Sequence, residues 1–226
     1  MNRDGTDDGC IALMVRYPRK GRVKSRLARD LGEVPATNLY RRFVEDMVDV
    51  LDASGVGYLI AHTPDADRKA MEAWLGSTAD FITQVGSDLG QRLESVLSRC
   101  FELGKSRSAA LGSDTPDLDP EVLREAMFSL ERHDAVLGPC ADGGYYLIGF
   151  RREAFEPEVF RNIPWSTSRV LSMTIDSLER SGTDYRLLPE WQDIDTLNDL
   201  EQFRLRQSSW GRRTRAYLES AEVHLR

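Results

Sequence analysis

Four carboxylates and one run of cations carry the chemistry available to this chain. Asp114 ends the run Ala109-Ala110-Leu111-Gly112-Ser113-Asp114-Thr115-Pro116, Asp142 stands in Cys140-Ala141-Asp142-Gly143-Gly144, and Asp193 and Asp195 form the motif Asp193-Ile194-Asp195-Thr196. Each follows a short apolar stretch. From Arg16 to Arg29 there are seven cations and no acid, although the chain of 226 residues carries a net charge of −7. Carboxylates around an octahedral Mg²⁺ or Mn²⁺, with a polyphosphate completing the shell, need this mixture of hard oxygen ligands and cations. Asp-Thr-Pro-Asp and Asp-Gly are also good turn chemistry, so capping and hairpin roles stand beside the metal and ligand roles.

These residues need strands that end where they stand. The run before Asp114 reads as a buried central strand, since Pro116 cannot donate to a sheet ladder. That puts Asp114 at the carboxyl end of a strand, where open α/β sheets bind ligands. Cys10 to Val15 is the first strand, and the basic segment follows it directly, in the position where α/β proteins hold phosphates. Pro35 opens a helix whose apolar face is Tyr40, Phe43, Val44, Met47, Val48 and Leu51. Strands are expected at Tyr58–Ala61, Phe81–Gln84, Ala135–Pro139, Tyr145–Phe150 and Arg186–Leu188. Helices are expected from Arg68 to Leu75, after Gly86 with Leu89, Leu93, Val96, Leu97 and Cys100 inward, and after the Asp119-Pro120 cap. Two more follow Ser166 or Thr167 as N-cap and run from Leu197 to Leu205. Strand and helix alternate, so the fold class is α/β with a Rossmann-like, mainly parallel sheet flanked by helices. Residues 1–9 read as a disordered leader, 10–206 as one domain and 207–226 as a helical, basic tail.

Composition excludes other classes. No apolar run is long enough to span a bilayer, and the acidic balance argues against nucleic-acid binding. Cys10, Cys100 and Cys140, like the three histidines, are too scattered for a disulfide framework or a zinc spacing. Neither a P-loop nor a GxGxxG dinucleotide fingerprint is present. A soluble cytoplasmic protein that binds small molecules, without membrane or nucleic-acid partners, is expected; the oligomeric state is left open.

Six ordered segments, RYPRKGRVKSRLARDLG, DLGQRL, LGSDTPDL, LGPCADGGYYLIGF, IPWSTSRVL and DIDTLNDL, resemble the radical-SAM/selenodomain-associated transferase family. That family belongs to the nucleotide-diphospho-sugar transferase (GT-A) superfamily. The resemblance runs from about Cys10 to Leu200 and implies a GT-A fold. It implies that Arg16, Gly21, Lys24 and Arg26 form the basic nucleotide-binding loop, joined by Gln91, Arg92, Gly143 and Gly144. It implies metal ligation of Mg²⁺ or Mn²⁺ by Asp114 and Asp195. Lys24 and Asp142 are the catalytic candidates, Lys24 on donor phosphate and Asp142 as base or orienting group for the acceptor hydroxyl, or as a further metal ligand. Arg16 stands where the family commonly has Lys, Ser25 where it has Thr, and Cys140 where it often has Ala. The implied reaction is glycosyl transfer from a nucleotide-sugar to a small-molecule acceptor. Nucleotidyl transfer from a nucleoside triphosphate to a small phosphorylated acceptor is the alternative, and a non-catalytic nucleotide-binding module is the remote one.

Overall fold

The computed structural model describes residues 8–220. Seven strands form one sheet: β1 (Gly9–Val15), β2 (Tyr58–His62), β3 (Asp80–Thr83), β4 (Arg107–Leu111), β5 (Ala135–Pro139), β6 (Tyr145–Arg151) and β7 (Tyr185–Leu187). Their order is β3-β2-β1-β4-β6-β5-β7. All pairings are parallel except those of β6, which runs antiparallel between β4 and β5. The expected alternation of strand and helix breaks at one place. β5 and β6 are a hairpin whose turn is the Cys140–Gly144 segment, so the turn reading of Asp-Gly holds there.

β1 is apolar end to end because it is buried on both faces. Its odd residues Ile11, Leu13 and Val15 pack in the large core with α1 (Ser25–Leu31), α2 (Glu33–Ser54) and α5 (Pro120–Ser129). Cys10 and Ala12 turn to the other face, against Val96 and Cys100 of α4 (Leu89–Glu102). That face also carries α6 (Val170–Ser181), whose Leu178 packs with Leu137, Ile148 and Phe150. Cys100 is therefore a packing residue. The chain is completed by α3 (Arg68–Leu75), α7 (Leu197–Leu205) and α8 (Arg212–Ser220).

Several local expectations shift: α2 opens at Glu33 rather than Pro35, and β3 and β7 each start one residue earlier than expected. The leader ends before Gly9: the carbonyl of Asp8 accepts from Ser106 N at 3.1 Å and Arg107 N at 3.3 Å, binding it to the sheet edge, while residues 1–7 lie outside the described residues. Ser166 and Thr167 do not cap α6, which starts at Val170 with Arg169 as N-cap and no side-chain cap bond. Ser166 has a left-handed backbone (φ 66°), and Thr167 instead donates to Pro164 O at 2.7 Å, closing its own turn. Leu89, expected inward, is 45% exposed, because α4 begins at that residue beside an open cavity. The tail is helical over α8, as far as it is described, and packs on α2. Asp46 of α2 accepts from Arg213 N, Thr214 N and Thr214 Oγ1 at 2.9, 2.8 and 2.6 Å. Among the described residues no helix is long and apolar enough to cross a membrane.

Candidate active site

The carboxyl edges of β1 and β4 open into a cavity of about 550 Å³, within the range of small-molecule sites. Asp114 enters it three residues past the end of β4, and Asp195 arrives from the loop before α7. Two features fix that loop. Ile194 N donates to Asp114 O at 2.9 Å. Asp199 accepts from Asp195 N and Thr196 N at 3.1 and 2.7 Å, completing a capping box with Thr196.

Lys24 joins the two carboxylates. Its Nζ lies 2.9 Å from Asp114 Oδ1 and 2.8 Å from Asp195 Oδ1, and donates to Ile194 O at 2.6 Å. It hydrogen-bonds Ile194 O and Asp195 Oδ1 and pairs with Asp114 by charge, and the side chain is only 4% exposed. The Phe43 ring lies 5.4 Å beneath the ammonium. Burial alone would lower the lysine's pKa, but the two carboxylates outweigh it and hold the ammonium charged. Lys24 reaches this place from a left-handed backbone, φ 48° and ψ 49°, at the N-cap of α1. Such a conformation in a non-glycine residue persists only where its surroundings impose it.

Tyr40 braces the same edge from α2. Its hydroxyl accepts from Arg16 N at 3.0 Å and shares a hydrogen bond with Ser113 Oγ at 3.2 Å. Burial, then the charge of Asp114, pushes this phenol up to about 12, so it stays protonated. Arg16, Arg22, Arg26 and Arg92 line the cavity, and Arg26 Nη1 lies 3.5 Å from Asp195 Oδ2. Arg16, Arg22 and Arg92 also line a neighbouring cavity of about 310 Å³ with Arg19 and Tyr17.

A second acidic group adjoins the first. Ligand atoms of Cys140, Asp142 and Asp193 lie within 4.8 Å of one another. Burial and the charges of Asp142, Asp195 and Asp114 raise the Asp193 carboxyl to about 6. Burial, then the carboxylates of Asp193 and Asp142, pushes the Cys140 thiol well above its usual range. The charges of Asp142, Asp195 and Asp114 thus converge on Asp193, a field that favours a cation among these carboxylates.

The structure brings together Arg16, Lys24, Arg26, Arg92, Asp114 and Asp195 on the cavity wall. Asp142 joins through the acidic group, outside that wall. The remaining expected residues shape turns. Gln91 Oε1 accepts from Ser87 N at 2.9 Å and ties the loop before α4. Gly143 N and Gly144 N are spent on Cys140 O and Asp142 Oδ1 within the hairpin turn. Gly143 has φ +88°, and a Cβ there would stand 2.2 Å from Ser168 O. Gly21 turns the basic loop with φ +72°. Sequence reasoning missed Arg22, Tyr40, Ser113 and Gln84 on the wall. Arg22 could have been found, since it stands inside the cationic run. Tyr40 reads as one more apolar position of α2, and its hydroxyl shows only in three dimensions.

A family model described as "Uncharacterized protein conserved in bacteria (DUF2064)" matches residues 47–167. Among solved structures, the chain is similar to a proposed nucleotide-diphospho-sugar transferase from Desulfovibrio desulfuricans G20, with 38% identity, a TM-score of 0.87 and 95% of each chain covered. It is similar in fold to CMP:2-keto-3-deoxy-manno-octonic acid synthetase complexed with CTP, with 13% identity, a TM-score of 0.56 and coverage of 87% of this chain and 97% of the other. It is also similar in fold to Rv0371C of Mycobacterium tuberculosis H37Rv in complex with manganese, with 19% identity, a TM-score of 0.50 and coverage of 88% and 98%. No match was found among curated proteins.

Proposed function

The chain belongs to the DUF2064 family of proteins conserved in bacteria, within the nucleotide-diphospho-sugar transferase superfamily, and from that footing we propose a divalent-metal-dependent transferase that uses a nucleotide donor. Its preferred reaction is glycosyl transfer from a nucleotide-sugar to a small-molecule acceptor. The six motifs favour the radical-SAM/selenodomain-associated branch, and three unpaired cysteines favour a reducing, cytoplasmic setting. The observation that carries the reading is the convergence of Asp114 and Asp195, 81 residues apart in the chain, on one point of positive charge at the mouth of an arginine-lined cavity.

The donor set fits Mg²⁺ or Mn²⁺, because it consists of hard carboxylate oxygens with no histidine. Asp114 and Asp195 would hold the ion, with the charges of Asp193 and Asp142 acting in the same field. When bound, such an ion neutralises the diphosphate and the charge that develops on it during transfer. Everything else falls to the chain's own side chains. Arg16, Arg22, Arg26 and Arg92 bind the remaining phosphate charge through charge-assisted hydrogen bonds. Lys24, hydrogen-bonded to Ile194 O and Asp195 and ion-paired with Asp114, orients the carboxylates and reaches phosphate only by releasing one of them. In glycosyl transfer the bond from the sugar anomeric carbon to diphosphate oxygen breaks, and the acceptor oxygen bonds to that carbon. The acceptor proton passes to Asp142, and the nucleoside diphosphate leaves with the bonding pair.

A second reading, nucleotidyl transfer, is favoured by one feature. The neighbouring cavity lined by Arg16, Arg19, Arg22 and Arg92 offers room and charge for a longer phosphate chain.

Thermal melts with a panel of nucleoside diphosphates, triphosphates and nucleotide-sugars, with Mn²⁺ or Mg²⁺, test the proposal. A ligand at ~100 times its Kd stabilises the folded state by about 2.7 kcal/mol, a shift of roughly 5–10 °C for this size. The shift should shrink with a chelator. Nucleotide-sugars ranking above triphosphates supports glycosyl transfer, and the reverse order supports nucleotidyl transfer. No shift with any nucleotide at millimolar ligand and metal overturns the reading.

A further inference from the structure

Asp117 is a buried acid that the proposed chemistry does not use. It stands three residues after Asp114, on the same loop between β4 and α5, and is 1% exposed. Its two oxygens meet different segments. Oδ1 accepts from Trp191 Nε1 at 3.2 Å, and Oδ2 lies 3.0 Å from Nε of Arg206, the C-cap residue of α7. Arg206 then reaches back to the first segment, donating from Nη1 to Gln192 O at 3.4 Å. Asp117 thus grips residues 191 and 192 twice, once directly and once through the guanidinium.

Both gripped segments lead to Asp195. Trp191 stands four residues before it and is tied to the β5–β6 hairpin that carries Asp142: Trp191 N donates to Pro139 O at 2.9 Å, and Trp191 O accepts from Ala141 N at 3.1 Å. Gln192 donates from Nε2 to Asp199 Oδ1 at 3.1 Å, and the other oxygen of Asp199 accepts from Asp195 N. α7 opens on that capping box and ends at Arg206, so Asp117 fixes the far end of the helix whose first turn seats Asp195. The tail closes over this joint. Arg215 of α8 donates to Arg206 O at 3.0 Å and stacks 4.3 Å from the Phe203 ring centre, while a Cβ on Gly211 would stand 2.9 Å from that ring.

At the site itself the two loops meet through Ile194 N and Asp114 O. One hydrogen bond between loops leaves them free to pivot about it, and a second attachment a few residues away removes that freedom. A buried carboxylate–guanidinium pair adds little net stability over apolar residues of similar volume, yet breaking it leaves a charge without a partner. What such a pair can supply is a fixed register. We propose that Asp117 is a positioning residue: with Trp191 and Arg206 it sets the spacing of the Asp114 and Asp195 carboxylates that a divalent cation requires, its own oxygens being spent on those partners. The proposal rests on the metal-dependent transferase reading and adds the group that spaces its two metal ligands.

The test reads Mn²⁺ binding to the full chain from the electron-paramagnetic-resonance signal of free Mn²⁺, at a temperature where circular dichroism shows each variant folded. Asp117→Asn keeps an acceptor for Trp191 but removes the charge facing Arg206. Mn²⁺ should bind it about 10–100-fold more weakly, the loss typical of groups that orient metal ligands. Trp191→Phe keeps a ring in place and removes the indole N–H, so it carries the test if Asp117→Asn does not fold; a loss of about tenfold is expected. Asp46→Ala is the control for lost stability alone, with a lower melt at unchanged Mn²⁺ affinity. Unchanged affinity in either folded variant, or an equal loss in Asp46→Ala, overturns the positioning role; Mn²⁺ binding and nucleotide-induced melting shifts in the parent then leave the transferase reading standing. A parent that binds no Mn²⁺, alone or with a nucleoside diphosphate, removes the metal reading and this inference with it.

Discussion

Asp46 and the Asp114–Asp195 pair are both carboxylate centres joined across long sequence separations, and they are finished in opposite ways. Asp46 is 2% exposed and filled by its own chain: two backbone N–H groups and a hydroxyl from the start of α8 take its oxygens. Asp114 and Asp195 keep 39% and 35% of their side chains exposed and share one ammonium. The first centre is closed because both of its oxygens have fixed partners within the chain. The second is held by a single ammonium beside a cavity, so a ligand can take over part of its coordination. Saturation by the chain's own groups separates a structural carboxylate from a functional one more cleanly than burial does.

The sharpest break between them is expected from Asp114→Asn. Turnover should fall by about 10²–10³-fold, the loss typical of a charge-stabilising group in a transfer site, while the melt moves by only a few degrees. Steady-state rates beside thermal melts decide it, and an active but destabilised variant would return Asp114 to a structural role.

Asp46→Ala should do the reverse. It strands two backbone donors and the Thr214 hydroxyl, at a cost of about 2–4 kcal/mol, or roughly 5–15 °C in melting temperature. Turnover per folded molecule at low temperature should be unchanged. A loss of rate without loss of stability would erase the distinction.

Lys24→Met sharpens the comparison from inside the open centre. Without the ammonium, the two carboxylates repel each other, and the apo protein should melt lower by about 1–3 kcal/mol, reduced from the fully buried case because both acids meet solvent. Mn²⁺ should then raise the variant's melt more than the parent's, since no internal cation has to give way. Equal Mn²⁺ shifts in the two proteins would show that Lys24 and the metal do not compete.

Much of this was legible before any coordinates. Strand ends were marked by residues that cannot stay in a ladder, such as Pro116, and α5 was announced by Asp119 with Pro120 behind it, where Asp119 does accept from Glu121 N at 2.9 Å. The apolar stripe of α2 and the position of Asp114 past β4 follow from the same local rules. What did not show was anything decided by a distant partner. Thr167 carries the right hydroxyl for a cap yet spends it on Pro164 O. Lys24 carries the right charge for phosphate, yet its ammonium is hydrogen-bonded to Ile194 O and Asp195 and ion-paired with Asp114. Leu89 fits the helical stripe yet sits at a cavity lip. Residue type sets what a side chain can do, and packing selects which of those options it takes.

The smallest effect concerns Asp193, at the junction of the open centre with its acidic neighbours. Its carboxyl is raised from an ordinary 3.8 to about 6 in the folded chain. Between those values the unfolded chain has lost the proton and the folded one keeps it, so stability falls as pH rises from about 4 to about 6 and is flat above. With chelator present, Asp193→Asn should melt slightly higher than the parent at pH ~7.5 and equally at pH ~4. A constant gap across that range would show that the field of the other carboxylates does not reach this position. Asp46 is raised by burial too, but its three donors hold it within a closed network, so the metal should leave its behaviour untouched.

The start of α4 beside the open cavity bears on how this enzyme could be retooled: a Cβ on Gly90 would stand 2.7 Å from Phe160 O and 2.9 Å from the Trp165 ring. Two segments meet there through the space of a missing methyl group, so the cleft's width belongs to the pair and to neither partner. Adding bulk at position 90 would prise α4 off the segment after β6 and disturb Leu89 and Arg92 on the cavity wall together. Shrinking Trp165 would instead free space beside Tyr145 while leaving the charged edge alone. The width of the cleft is thus adjustable from one side of the joint, at Trp165.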